Sequence, residues 1–178
     1  MAVRVVSLGV VLSALLAGAP TSTAGQASET QVKAAFLVSF LKFVEWSDDR
    51  RPLPGEPFEV AVLRDEPFTT IVDAVALEHR IGGRRVQVRL VQRPDDAVGA
   101  HLIFVPASER LQLPSILREL EGRDVLTVGD GAGFAQSGVM LNLVVAEQRM
   151  HFEANTAAAA SAGVRLSAHL LRVARIVR

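Results

Sequence analysis

The first candidate for chemistry is a glycine cluster, Gly129-Asp130-Gly131-Ala132-Gly133, which directly follows a predicted strand. A glycine-rich turn in that position can bring backbone amides close to a pyrophosphate at a helix N-terminus. The spacing here is G-x-G-x-G, however, and Gly138 interrupts the segment in which the helix should follow. We therefore favour a permissive turn over a nucleotide site, and we predict no cofactor.

Nucleophilic catalysis would require a serine or threonine with a histidine base and a carboxylate nearby. The four histidines are scattered over predicted loop, strand and helix segments, and the chain contains no Gly-x-Ser-x-Gly motif and no cysteine. His101 begins one predicted strand and His151 lies inside another, which favours structural histidines with satisfied hydrogen bonds over a catalytic base. We therefore predict that the protein is not an enzyme.

Metal binding has one weak candidate, the pair His151 and Glu153. Alternate residues of a strand lie on the same face of a sheet, so the two side chains would share a face. Two ligands without a third make a weak site, and the absence of cysteine excludes thiolate ligands. We predict no metal site.

The charge of the chain is balanced, with 19 basic and 19 acidic side chains in 178 residues. Such a chain has no general electrostatic field to attract nucleic acid, and we predict no nucleic-acid partner. The length suits one domain, or two small ones.

The first residues have the pattern of a secretory signal. Arg4 precedes a run of apolar and small residues over 5–19, followed by Pro-Thr-Ser-Thr. This run is shorter than the roughly 20 residues that a membrane-spanning helix needs, which favours a cleaved signal over an anchor. Small residues suit cleavage after Ala24 or after Ala27. We predict a signal peptide over 1–24, or to 27, an exported domain over 28–178, and a periplasmic location.

Hydrophobic periodicity predicts helices and strands that alternate along the exported part of the chain. The predicted helices cover 28–46, 67–78, 114–120, 156–161 and 167–177, and the predicted strands cover 58–63, 85–91, 101–105, 125–128, 139–145 and 149–154. Crossover helices mixed with adjacent strands favour a mixed sheet. The predicted fold class is α/β, a single layered domain with a mixed β-sheet of about six strands flanked by helices.

The first predicted helix is unusually apolar. Four aromatic side chains fall on an arc of about 120°, which we interpret as its core face: Phe36, Phe40, Phe43 and Trp46. Leu37, Val38 and Leu41 point away from that arc, where a solvated helix should be polar. Either the helix is buried on two sides of its own domain, or the second face packs on another chain.

The last predicted helix, 167–177, is amphipathic. Its apolar positions, Leu170 and Val173 among them, are expected to face inward. Arg172 and Arg175 are expected to face outward, where cations near a helix C-terminus stabilise it.

An ordered set of segments resembles the YfiR-like periplasmic repressor family over essentially the whole exported chain. The matching segments are 32–37, 43–46, 58–63 (FEVAVL), 101–105 (HLIFV), 125–128, 138–143, 152–155 and 166–171 (LSAHLL). The resemblance implies a small α/β periplasmic protein without catalytic activity and with a tendency to form homodimers. Its partners would be an inner-membrane diguanylate cyclase, which it represses, and an outer-membrane OmpA-like lipoprotein, which sequesters it.

The resemblance also bears on single residues. Family members commonly carry cysteines at the positions of Ala61 and Ala100, so thiol-based control is impossible in this chain. Small-molecule binding is associated with the basic residue that leads into the last helix, here Arg165.

Our hypothesis is a non-enzymatic regulator that represses a membrane signalling protein, with Phe36, Leu37, Phe40 and Leu41 in the partner or dimer interface. The alternative is a periplasmic small-ligand binding module that feeds a sensor kinase. A polar pocket around Arg165 and His151 would favour that alternative.

Overall fold

The computed structural model of the chain describes residues 28–177. The predicted signal peptide lies outside the described residues. The helices are α1 (Glu29–Phe40), α2 (Glu66–Glu78), α3 (Leu113–Glu119), α4 (Thr156–Ser161) and α5 (Ala168–Val173). The strands are β1 (Val44–Glu45), β2 (Phe58–Leu63), β3 (Val86–Val91), β4 (Leu102–Val105), β5 (Leu126–Gly129), β6 (Leu141–Ala146), β7 (Arg149–Asn155), β8 (Arg165–Leu166) and β9 (Arg175–Val177).

The main sheet has seven strands in the order β3-β2-β4-β5-β6-β7-β9. Strands β2 to β6 are parallel, β7 returns antiparallel to β6 as a hairpin, and β9 runs parallel to β7. A separate antiparallel ribbon joins β1 to β8. The predicted α/β class with a mixed sheet is confirmed, with one strand more than expected.

The core lies on both faces of the sheet. In β4, Leu102 and Phe104 pack on the side of α1 and α2, whereas Ile103 and Val105 pack on the side of α3. Successive side chains of a strand point to opposite faces, so a strand covered on both sides must be continuously apolar. This confirms the interpretation of the HLIFV run.

The first helix is shorter than predicted. It ends at Phe40 and a tight turn follows, in which Lys42 N donates to the Ser39 carbonyl and Phe43 N donates to the Phe40 carbonyl. Residues 44–45 leave the helix to pair with β8. Trp46 therefore lies outside α1 and packs against the ring of His101, 5.3 Å between centroids.

The prediction of the last helix is correct for its first half and wrong for its second half. Ser167 caps the helix, which ends at Val173, and Ala174 has extended backbone. The next residues form β9 because the edge of β7 offers them backbone partners, with Glu153 opposite Arg175. The Arg175 guanidinium lies 3.1 Å from the Glu153 carboxylate, an ion pair between the two neighbouring strands.

Only one of the two histidines interpreted as structural is buried. His101 Nδ1 accepts a hydrogen bond from Glu59 N at 3.0 Å, and its Nε2 donates to the Arg50 carbonyl at 3.0 Å. His151, by contrast, is exposed, and burial therefore gives no support to a structural role for it. It lies opposite Val144 on the sheet face that α1 does not cover.

His101 should make the stability of the domain sensitive to acid. Burial, reinforced by the Arg50 guanidinium, lowers the pKa of the His101 imidazole below its usual 6.5. The unfolded chain takes up this proton near pH 6.5 and the folded chain only at lower pH. The free energy of unfolding should therefore fall below that pH, by at most about 1.4 kcal/mol per pH unit.

Denaturant unfolding of the wild type and of His101→Asn between about pH 7.5 and about pH 5.5 measures this effect. The variant is less stable at the higher pH because the Arg50 carbonyl loses its donor. The difference between the two proteins should narrow as the pH falls. A constant difference would show that His101 does not titrate differently in the two states.

Candidate partner-binding groove

An open apolar groove of about 370 Å³ lies between α1 and α5, with Phe152 of β7 among its lining residues. We call it the α1–α5 groove. Its walls are formed mainly by aromatic and aliphatic side chains, among them Val32, Phe36, Phe40, Phe43, Leu170 and Val173. Helix α1 supplies one wall because residues three and four apart share a helix face. The α1 wall is more than a hundred residues away in the chain from the parts supplied by β7 and α5.

Three phenylalanine rings fix the centre of the groove. Phe152 lies 5.2 Å from Phe40 in an edge-to-face arrangement and 6.2 Å from Phe36, centroid to centroid. Phe40 is 2% exposed, whereas Phe36 is only partly buried. Aromatic contacts of this kind hold the rings in defined positions, so the groove is rigid at its centre.

A basic cluster lies at the α5 end of the groove. The His169 ring stacks on Phe43 with 5.4 Å between centroids, and Arg172 Nη2 donates to His169 Nδ1 at 2.9 Å. Lys42 precedes Phe43 and is exposed. Among the residues that the structure describes, neither Lys42 nor Arg172 has a carboxylate within 4.0 Å.

The other end of the groove continues into a larger cavity of about 800 Å³, with which it shares Val32. This cavity lies between the start of α1 and the tip of the β6–β7 hairpin, and Glu29, Glu147 and Arg149 are among its lining residues. Val145 of the hairpin is also exposed there. The lining thus changes from apolar in the groove to mostly polar at the start of α1, where Val32, Val145 and Met150 are the apolar residues.

Of the four predicted interface residues, the structure places two in this groove and two in the core. Phe36 and Phe40 line the groove. Leu37 and Leu41 are 0% and 1% exposed, and they belong to the core cluster that also holds residues of α2. The prediction of an uncovered leucine face is therefore wrong, because α2 packs on α1 and covers it. Of the aromatic arc, predicted to face the core, Phe36 and Phe43 are only partly buried and line the groove, whereas Phe40 is buried at its base.

Val173 and Phe152 are groove residues that were not singled out from the sequence. Val173 is 68% exposed, although its place in an amphipathic helix predicted an inward side chain. The helix stops at this residue, so nothing packs over it. The alternation of Met150, Phe152 and Ala154 indicates that these side chains share one face of the sheet. It does not indicate which helices pack on that face.

Arg165 lies elsewhere. It is exposed on β8 and lines a separate cavity of about 240 Å³, together with small and aliphatic residues of α4 and with Leu171. His151 is not among the residues that line this cavity. The structure therefore does not bring the two residues of the alternative hypothesis together.

The glycine cluster is filled by the protein itself. A Cβ added at Gly129 would lie 2.6 Å from the Phe134 ring, and one at Gly131 would overlap that ring. Phe134 is buried, so it cannot move aside for a ligand. Because these glycines have no side chains, the Phe134 ring occupies the space through which a pyrophosphate would have to approach the backbone.

Asp130 in the same loop ties three segments together. Its Oδ2 lies 2.7 Å from Lys33 Nζ of α1, and its Oδ1 accepts a hydrogen bond from Ala107 N at 2.7 Å. The Lys33 and Asp130 side chains are 19% and 15% exposed. This ion pair anchors the groove-forming helix to the ends of β4 and β5.

Glu153 is likewise occupied by neighbours within the fold. Its carboxylate is buried, accepts a hydrogen bond from Asn142 Nδ2 at 3.2 Å and pairs with Arg175. His151, its predicted companion as a metal ligand, is exposed. Over residues 28–177 no group of three or more acidic or histidine side chains is arranged to hold a metal ion.

Two solved structures resemble the fold. One is the ABC domain in complex with L-Trp from Streptococcus pneumonia, with a TM-score of 0.58 and 11% identity over 81% of this chain and 60% of that one. The other is a conserved domain protein from Vibrio cholerae O1 biovar El Tor, with a TM-score of 0.59 and 10% identity over 85% and 60%. The chain thus spans about 60% of the length of each relative. At these identities the likeness concerns the fold alone.

In the described part of the chain, none of the helices has both the length and the apolar character that crossing a bilayer requires.

The family assignment comes from the sequence. A model of the YfiR/HmsC-like family matches residues 30–175. This range includes all five helices and all the strands, apart from the first residue of α1 and the last two residues of β9. On this match, the chain belongs to the YfiR/HmsC-like family.

Proposed function

We propose that this protein is a non-enzymatic periplasmic regulator that binds the extracytoplasmic region of an inner-membrane signalling protein, a diguanylate cyclase being the best candidate. The YfiR/HmsC-like family is periplasmic and regulatory in general and acts with partner proteins in signalling. Binding would repress the cyclase. Capture of the regulator by an outer-membrane OmpA-like lipoprotein would relieve that repression.

The α1–α5 groove is the observation that carries this proposal. Folded monomers seldom leave a continuous apolar surface open unless it binds something. The exposed Val173, the half-buried Phe36 and the buried Phe152 place aliphatic and aromatic surface side by side, as at the centre of protein interfaces. We assign the regulatory contact to this groove.

The small-ligand alternative has less support. It was predicted to combine Arg165 with His151, and the cavity beside Arg165 has Glu45 and Thr156 among alanine, valine and leucine side chains but does not include His151. His151 points to a different part of the molecule. The predicted homodimer stays a prediction.

Deletion of the gene tests the regulatory role. We expect cyclic-di-GMP in the deletion strain to rise and to return to its starting level when the wild-type gene is restored. An unchanged level in the deletion strain under inducing conditions would overturn repression of a cyclase.

A pair of matched variants tests the groove. Val173→Glu places a charge on its wall at a residue that is 68% exposed, so the domain should fold with nearly unchanged stability. We expect this variant to fail to lower cyclic-di-GMP in the deletion strain, because burying the carboxylate against a partner costs several kcal/mol.

Val98→Glu is the control, since Val98 is 67% exposed and lies outside the groove. It should complement like the wild type. Thermal melting of both purified proteins verifies that they fold. Full complementation by a folded Val173→Glu protein would remove the groove from the proposed function.

A further inference from the structure

The shape and charge of the α1–α5 groove specify what kind of partner segment fits it. Resting on the function proposed above, we propose that the groove takes an amphipathic helix of the partner protein, with acidic residues at the end that reaches His169 and Arg172. The backbone chemistry, length, curvature and charge of the groove all favour this occupant.

The groove suits a helix better than an extended strand. Its walls are side chains of α1 and α5, and Phe152 enters it from the covered face of β7. An extended segment would leave its backbone N–H and C=O groups without partners against these apolar walls, which is costly. A helix satisfies those groups internally and presents only side chains.

The length of the groove fits a short helix. Along α1, Val32 and Phe40 are eight residues apart, which corresponds to about 12 Å of helix axis. A helical occupant of about two to three turns would therefore contact the whole wall, with apolar anchors at positions i, i+3 or i+4, and i+7.

The curvature argues against a second copy of this chain on the same surface. In a two-fold symmetric contact the same patch meets itself. Two concave grooves placed face to face would enclose a void between their Phe36 and Phe152 rings. The occupant must be convex, and we therefore assign the groove to a different protein.

The charge sets the direction of the occupant. At the α5 end, Arg172 and His169 lie together, Lys42 is adjacent in sequence to the groove residue Phe43, and no carboxylate within the described residues neutralises Arg172 or Lys42. At the opposite end, Glu29 and Glu147 accompany the single base Arg149. Acidic residues of the partner helix are attracted to the first end and repelled from the second.

Two synthetic peptides test this inference on the full exported domain. Both carry three leucine anchors at helical spacing, and they differ only in two residues beside the first anchor, which are glutamates in one peptide and lysines in the other. We expect the glutamate peptide to bind about tenfold more tightly at low salt, and the ratio to shrink at high salt. Titration calorimetry gives both affinities.

The two peptides can also differ in affinity because they differ in helicity. Charge reversal on the protein controls for this, because the same two peptides are compared on both proteins. Arg172→Glu should weaken the glutamate peptide and strengthen the lysine peptide. Arg118→Glu is the matched control, because Arg118 is exposed on α3 and belongs to neither cavity. It should leave both affinities within about twofold, since α3 packs on the sheet face opposite α1 and exposed charges that are far apart are screened by salt.

The outcomes separate this inference from the function on which it rests. Equal affinities for the two peptides, an unchanged ratio in Arg172→Glu, or no saturable binding of either peptide would overturn the acidic helix. If Val173→Glu nevertheless abolished control of cyclic-di-GMP, the groove would still be the regulatory surface, with an occupant of another shape. A rise in molecular mass with concentration that Val173→Glu abolishes would instead assign the groove to self-association.

Discussion

The double substitution Leu37→Glu and Leu41→Glu is expected to unfold the domain. Both side chains lie in the core between α1, α2 and the sheet, 0% and 1% exposed. Each glutamate would bury a carboxylate without a cation, at several kcal/mol per charge. The sum is comparable to the net stability of a domain, about 5 to 15 kcal/mol. Far-UV circular dichroism and thermal melting should show no cooperative transition.

Milder and matched changes keep this prediction informative. Leu37→Ala should leave a folded protein that is about 2 to 5 kcal/mol less stable, because it removes buried methyl groups and leaves a cavity. Lys42→Glu, at an exposed position just after the same helix, should change stability by no more than about 0.5 kcal/mol. A double glutamate variant that melts like the wild type would show that Leu37 and Leu41 lie on the surface, as the interface hypothesis from the sequence requires.

The strands were predictable because their signal is local. Strand β2 has the predicted bounds, 58–63, and β4 differs by one residue, since short continuous apolar runs bounded by turn residues specify buried strands. Helix α4 also has its predicted bounds. These elements need no knowledge of what packs on them.

The orientation of α1 was not predictable in this way. One stripe of the helix contains Ala34, Leu37, Val38 and Leu41, and the other contains Val32, Phe36, Ser39 and Phe40. Both follow the spacing of an apolar helix face. Larger aromatic side chains suggested the core, yet the aliphatic stripe fits the close approach of α2. The choice depends on tertiary packing, which periodicity does not contain.

The groove itself was only partly foreseeable. Phe36 and Phe40 were identified, but the opposite wall depends on where α5 ends. The sequence after Val173 continues the helical pattern, and only the free edge of β7 draws residues 175–177 into the sheet. Pairing between segments this far apart leaves no local trace, so Val173 could not be recognised as an exposed residue.

Asp130→Asn is expected to lower the free energy of unfolding by about 3 kcal/mol, the lower end of the range for buried ion pairs. The Lys33 ammonium would lose its partner while it stays mostly buried. The pair is not fully shielded from water, which is why we expect the lower end of that range. Asparagine keeps an oxygen that can accept from Ala107 N, so the substitution isolates the loss of charge.

A double-mutant cycle with Lys33→Met shows whether the two charges act on each other. Methionine keeps the apolar stem of the lysine, and in the double variant neither charge remains, so its destabilisation should be smaller than the sum of the single effects by at least about 1 kcal/mol. Asp48→Ala is the control, because the Asp48 carboxylate is fully exposed, 4.0 Å from Arg51, and should contribute less than about 0.5 kcal/mol. Additive single effects would mean that Lys33 and Asp130 stabilise the fold independently. In that case α1 would be held against the sheet by apolar packing, through its leucine face and through the contact of Phe40 with Phe152, and the ion pair would not set the position of the groove wall.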